Sequence, residues 1–335
     1  MKINAFAAQE SGATLQPFSF ESNPPKAGEV LVKLTHCGIC HSDLHLIDND
    51  WRASKYPLVP GHEAIGTVIE LGEQVPWLQL GQTVGIGWQA GSCGYCEWCV
   101  QGQEQLCSKN VATCNGRYGG FADHLLVDAR FAFPIPAALA PENAAPLLCG
   151  GITVYSPLRN YDVRHWHKVA VVGIGGLGHL AIQFASAMGC EVWALSHSAN
   201  KENEAKTLGA HHFVATSDPN SLKALRGSLD FILVTAIADL DWKSYVAALR
   251  PNGRICFVTG HATQLDVPAS ALLANKGILG SQIGGRALMQ EMLEFAARKG
   301  IVAKTEVMPL ANVNAALDKV RDGSVRYRMV LKMGN

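Results

Sequence analysis

VAVVGIGGLGHLAIQFASAMG, residues 169–189, joins an apolar, β-branched run to a turn of small residues and then to a helix-forming stretch. Within it Gly173, Gly175 and Gly178 stand in G-x-G-x-x-G spacing. The first two glycines allow a tight turn and a close approach of backbone to a pyrophosphate. The third lets helix and strand pack closely, and the helix N-terminus supplies N–H donors and a positive dipole end. Three glycines alone would be weak, but between a strand and a helix they form a dinucleotide-binding fingerprint. Gly173, Gly175, Gly176, Leu177 and Gly178 are therefore the expected cofactor-binding positions.

Specificity is read at the end of the next strand, VWALSHSANK (192–201). An NAD site usually holds the ribose hydroxyls there with an acidic residue, and this chain has Ser196. A carboxylate would repel a 2′-phosphate, whereas Ser196, His197 and Lys201 offer it hydrogen bonds and positive charge. NADP(H) is the expected cofactor. The plainer alternative makes Lys201 a solvated helix residue and Ser196 a residue that tolerates either cofactor.

Outward from this stretch, CEVWALS, KENEAKTLGA, HHFVAT, DFILVT, YVAALRPNG and RICFVTG alternate strand and helix patterns, which predicts a doubly wound parallel sheet over 152–279. Before it, EVLVKLTHCG, GHEAIGTVIELG and FADHLLVDA are short strand-like runs broken by Gly and Pro. These predict an irregular β-rich domain whose loops carry nearly all the Cys and His. After about Leu279 a helix (ALMQEMLEFAARKG), a short strand, a helix (ANVNAALDKVRDG) and a strand (RYRMVLKM) are assigned back to the first domain, so 1–151 and 280–335 form one domain around an inserted 152–279. At 335 residues the chain fits two domains. The overall class is α/β.

Charged residues are 17% of the chain, 28 basic against 28 acidic, so nothing electrostatic points to nucleic acid or a lipid surface. The opening MKINAFAAQE carries no long apolar run and no later segment reaches roughly 18 uninterrupted apolar residues. A cytoplasmic protein acting on small molecules is expected. Ten cysteines in a reducing compartment favour metal ligation or buried thiols over disulfides.

SCGYCEWCVQGQEQLC (92–107) places Cys93, Cys96, Cys99 and Cys107 in C-x2-C-x2-C-x7-C spacing. Four thiolates in one loop can surround zinc tetrahedrally with no open position, a structural site; unrelated buried thiols or an iron–sulfur cluster are the alternatives. GICHSDLH (38–45), GHE (61–63) and LLCGG (147–151) contribute Cys40, His62 and Cys149. Together these could make the two-sulfur, one-nitrogen set of a catalytic zinc with a vacant position. Singly, each has a plainer reading as a small buried hydrophobe or a satisfied polar group.

Over essentially its whole length the sequence resembles the zinc-dependent medium-chain alcohol dehydrogenases. GICHSD, GHEAIGTV, the four-cysteine loop, LLCGG and VGIGGLGHLAIQFA occur in that family's order. Ser196 and the ending VRYRMV are similar to the cinnamyl alcohol dehydrogenase branch, which reduces aldehydes with NADPH. The resemblance implies a GroES-like catalytic domain interrupted by a Rossmann domain, with the active site in the cleft between them. It implies two zinc ions per chain, one on Cys40, His62 and Cys149 with Glu63 close behind the metal.

It also implies that Ser42 hydrogen-bonds the substrate oxygen and passes a proton through the nicotinamide ribose to His45, and that Asp43 orients His62. His41 lies near the cofactor phosphates or does nothing, and Cys37 is not a ligand. Trp51 and Trp88 fall where the family lines its substrate pocket, unless they merely pack in the core. Arg326 reaches the cofactor pyrophosphate, unless it is a surface charge.

The expected substrates are primary alcohols and aldehydes, aromatic or of medium aliphatic length. The branch implies a homodimer, with tetramers among related bacterial enzymes. The nearest rival is an NAD-dependent zinc polyol or formaldehyde dehydrogenase, which Ser196 argues against. A fold kept without turnover would be expected to lose part of this residue set.

Overall fold

A computed structural model describes residues 1–218, 220–260 and 264–334. The two textures of the sequence fold as two units, one of residues 1–152 with 283–335 and one of 153–282.

In the second unit six parallel strands lie in the order His212–Ala215, Glu191–Ser196, Lys168–Val172, Leu229–Val234, Leu249–Phe257 and Gly277–Gly280. The Lys168–Val172 strand has its successor on one side and a later strand on the other, so the loop after Val172 sits where the strand order reverses. KVAVV is buried along nearly its whole length, as a strand covered on both faces requires. Leu195, Ile232, Trp242, Tyr245, Leu249 and Ile255 fill the core beside it.

Gly173 has φ +92°, and a Cβ on Gly178 would lie 1.9 Å from the Gly173 carbonyl oxygen. The Gly178–Ala187 helix can approach the turn only because that Cβ is missing. Gly175 has nothing within 4 Å of the same position, leaving its backbone open to a ligand. The unit extends to Gln282, three residues past the expected boundary. Gly277–Gly280 pairs with Leu249–Phe257, and the Gly280 carbonyl accepts from Tyr161 Oη at 2.8 Å.

The first unit is organised by Glu29–Ile39, an 11-residue strand antiparallel to Ala64–Leu71, His124–Asp128 and Arg328–Lys332. The terminal strand pairs Met329 with Ile39 and Leu331 with Cys37, which carries Arg328 to the end of the long strand where Cys40 follows.

One expectation is corrected here. GICHSDLH is not a loop, because His41–Asp48 is an α-helix and Cys40 is its N-cap. Cys40 Sγ accepts from Ser42 N at 3.5 Å, and Asp43 Oδ2 accepts from Cys40 N at 2.9 Å. C-x-x-D thus acts as a capping box with sulfur in place of a hydroxyl oxygen, and Asn49 closes the helix at φ 58°. Ser42 and His45, three apart on this helix, face the same way. Among the described residues no helix is long and apolar enough to cross a membrane.

Candidate active site

Cys40, His62, Glu63 and Cys149 bring one donor atom each to within 4.8 Å of one another. The cap of a helix, the segment entering the Ala64–Leu71 strand, and the break between a 3₁₀ turn and the helix starting at Gly150 supply them. The two Sγ atoms are 3.9 Å apart. Asp43, fully buried, takes three donors: Cys40 N, Gly61 N at 2.9 Å and His62 Nδ1 at 3.0 Å. With Nδ1 directed at Asp43, His62 Nε2 is the free ring atom, and it is buried with no hydrogen-bond partner. Glu63 Oε2 is likewise buried and unpaired.

The electrostatics describe a site built for a cation. A hydrogen bond from the Cys149 thiol, opposed by burial and helped by His62, holds Cys40 well below the usual thiol range. The same bond and burial push Cys149 well up. Burial works to lower the pKa of His62, yet the Asp43 carboxylate and Cys149 raise it well above the ordinary value. Burial lifts Glu63 to about 7 against the pull of Arg328. Two thiols, an orphaned imidazole nitrogen and an orphaned carboxylate oxygen fit zinc.

Two residues here escaped the sequence reading. Arg328 is buried and its Nη2 donates to Glu63 Oε1; the signal available was a charge embedded in the apolar run RMVLK, which needs a partner. Cys114, fully buried, places Sγ 3.8 Å from His62 Nδ1. Nothing in its local sequence announces this.

His45 Nδ1 lies 2.7 Å from Asp50 Oδ2, and the His45 side chain is 35% exposed. Its ring is 5.4 Å from Trp51, Trp51 is 6.0 Å from Trp88, and Trp88 stands edge-on to His62 at 4.9 Å. The four rings thus run in series from His62, through Trp88 and Trp51, to the partly exposed His45. Ser42 is half-buried beside Cys40, and His41 is exposed. Cys37 is fully buried and outside the cluster.

Cys93, Cys96, Cys99 and Cys107 also lie within 4.8 Å of one another. Cys93 Sγ is 3.9 Å from Cys99 Sγ and 3.6 Å from Cys107 Sγ. Hydrogen bonds, led by the Tyr95 backbone, bring Cys93 down to about 6. All ten cysteines are free thiols.

At the nucleotide fingerprint, Ser196 Oγ accepts from Ser198 N at 3.2 Å and Lys201 Nζ donates to Ile174 O at 2.8 Å. Lys201 is thereby folded onto the glycine turn and is not simply solvated, while His197 is exposed beside Ser196. Arg326 is exposed in the first unit; its backbone N donates to Glu306 Oε1 at 2.8 Å and its guanidinium lies over the Tyr327 ring at 5.7 Å.

Residues 26–137 match the family described as alcohol dehydrogenase GroES-like domain, and residues 176–298 that described as zinc-binding dehydrogenase. A probable cinnamyl alcohol dehydrogenase of Arabidopsis thaliana is 42% identical over 99% of this chain and 95% of its own length. A cinnamyl alcohol dehydrogenase structure from Sorghum bicolor superposes with a TM-score of 0.94 at 38% identity, covering 99% of this chain and 98% of the other. Another, from Helicobacter pylori and complexed with NADP(H), gives 0.89 at 32% over 99% and 98%.

Proposed function

The chain belongs to the zinc-dependent medium-chain alcohol dehydrogenase family, in its cinnamyl alcohol dehydrogenase-like branch, and from that premise we propose that it is a two-zinc, NADP(H)-dependent aldehyde reductase. The observation that carries the reading is the quartet of Cys40, His62, Glu63 and Cys149, the last three buried, with its unpaired imidazole nitrogen.

Cys40, His62 and Cys149 would hold the catalytic ion, and the Cys93–Cys107 loop a structural one. Bound zinc supplies a Lewis acid for the substrate oxygen, and the nicotinamide supplies or accepts hydride. Asp43 keeps the His62 proton on Nδ1, so the Nε2 lone pair remains free to bind a metal. The Ser42 hydroxyl gives its proton to the substrate oxygen during reduction and is reprotonated by the relay that ends at His45, which Asp50 holds at the exposed end of the same helix face and which takes the replacement proton from solvent. Trp51 and Trp88 form an aromatic wall suited to aryl or medium-length aliphatic aldehydes. Gly173, Gly175, Gly176, Leu177 and Gly178 take the pyrophosphate, and Ser196, His197 and Lys201 the 2′-phosphate.

The Gly277–Gly280 strand is an edge of its sheet among the described residues, the kind of surface that pairs with a second copy, in keeping with a homodimer. Ten free thiols suit a reducing cytoplasm.

The test is the initial rate with cinnamaldehyde or benzaldehyde, using NADPH or NADH, with and without a zinc chelator. Chelator-sensitive turnover preferring NADPH is expected. No aryl-aldehyde turnover in protein holding two zincs would sink the substrate reading, and NADH-linked turnover of formaldehyde or a polyol would support the rival dehydrogenase. Ser196→Asp should shift the kcat/KM ratio toward NADH by about a hundred-fold, through like-charge repulsion of the 2′-phosphate. An unchanged ratio would mean that Ser196 does not face that group.

A further inference from the structure

Glu104, three residues before the last cysteine of the four-thiol loop, is 4% exposed. A carboxylate is buried only with partners, and this one finds them 182 residues away. Its Oε2 accepts from Arg286 N at 3.0 Å, and Oε1 lies 3.6 Å from Arg286 Nη1. Arg286 opens the Arg286–Lys299 helix, whose N-cap residue, Gly285, provides no side-chain cap. The loop therefore caps this helix and places negative charge at its positive end.

The two segments meet backbone to backbone: a Cβ on Gly285 would stand 1.9 Å from the Gly102 carbonyl oxygen. Arg286 Nε also donates to Arg130 O at 2.8 Å, and Arg130 Nη2 to Ser92 O at 3.2 Å, at the start of the loop.

One turn further along, the same helix buries Met289 and Met292. A Cβ on Gly87 would meet both Leu148 O, at 2.6 Å, and Met289 Cε, at 3.3 Å, and one on Gly151 would meet Met292 Sδ at 3.3 Å. Leu148 and Gly151 flank Cys149. A single helix is thus capped by one thiol cluster and packed against the segment that carries a donor of the other.

We infer that Glu104 is a positioning residue coupling the two clusters. The metal-filled Cys93–Cys107 loop presents Glu104 to the helix, the helix braces Leu148–Gly151, and the brace keeps Cys149 Sγ 3.9 Å from Cys40 Sγ. Glu104 touches neither substrate nor a donor atom of the Cys40 cluster. The inference rests on the two-zinc reading above, and its test separates the two.

Zinc release from the full-length holoprotein to a chromogenic chelator is followed in time, with Cys149→Ser identifying the phase that belongs to the Cys40–His62–Cys149 site. Glu104→Gln keeps shape and one acceptor but loses the charge. It should speed that phase about ten-fold, the size of one charge-assisted cap, and shift the thiolate-to-cobalt absorption bands of the cobalt-substituted site. Arg286→Gln, which spares the cap and removes the ion pair, should move both in the same direction by less. Faster release from the four-cysteine loop alone, or no change, overturns the coupling. A wild-type chain without the Cys149-dependent phase overturns the two-zinc reading itself, and the coupling with it.

Discussion

Cys149→Ala should retain one zinc per chain and lower kcat/KM for aldehyde reduction by about three orders of magnitude or more, the scale of losing a Lewis acid worth several kcal/mol at the reacting oxygen. Cys149 is one of two sulfurs in a cluster whose other donors are a single imidazole nitrogen and a carboxylate already engaged by Arg328. Deleting it leaves Cys40 and His62, too few to hold the ion against competing water. The four-cysteine loop shares no residue with this cluster and should keep its metal. Metal analysis run beside initial rates checks both halves. A variant with one zinc and full activity would remove Cys149 from the ligand set.

Arg328→Met should lower the stability of the metal-free protein by about 3–5 kcal/mol at neutral to alkaline pH, because it removes one partner of a buried ion pair and strands the other. The side chains have similar length, so the loss is chiefly electrostatic. Glu63 and Arg328 are both buried; Arg328 pairs with Glu63 Oε1, and Oε2 has no hydrogen-bond partner among the described residues. Burial has already raised Glu63 from its ordinary 4.5 to about 7, with Arg328 pulling the other way.

The sign of the pH dependence follows. A carboxyl whose folded pKa exceeds its unfolded one binds protons more readily when folded, so folding loses stability as pH rises from 4.5 through about 7. Without Arg328 that window extends upward. The penalty of the substitution should therefore be largest at about pH 8 and shrink by about pH 5.5, where the neutral carboxyl no longer needs a cation. Denaturant midpoints of wild type and variant at both values measure it. An equal penalty at both would show that Arg328 acts by packing alone.

Local patterns carried much of this protein. The strand, glycine turn and helix of 169–189 lie within one short stretch, so composition and spacing suffice to announce them, and the same holds for the four cysteines within 15 residues. The α/β class and the two textures of the chain were legible for the same reason. A capping box was less visible, because Cys40 replaces the hydroxyl by which such caps are recognised; the helix bearing Ser42, Asp43 and His45 was hidden by that substitution.

What only the tertiary structure decided depends on strand register and on contacts between distant segments. Met329 pairs with Ile39, and this register buries Arg328 against Glu63 while Arg326, two residues earlier, is exposed. Sequence could nominate either arginine, since a single strand does not reveal which edge it joins or at what offset. Cys114 beside His62 and Glu104 at the start of a helix 182 residues away are contacts of the same kind. Short-range spacing determines which residues can share a turn or a loop; the burial of apolar surface by the whole chain determines which distant charges and thiols are brought together inside it.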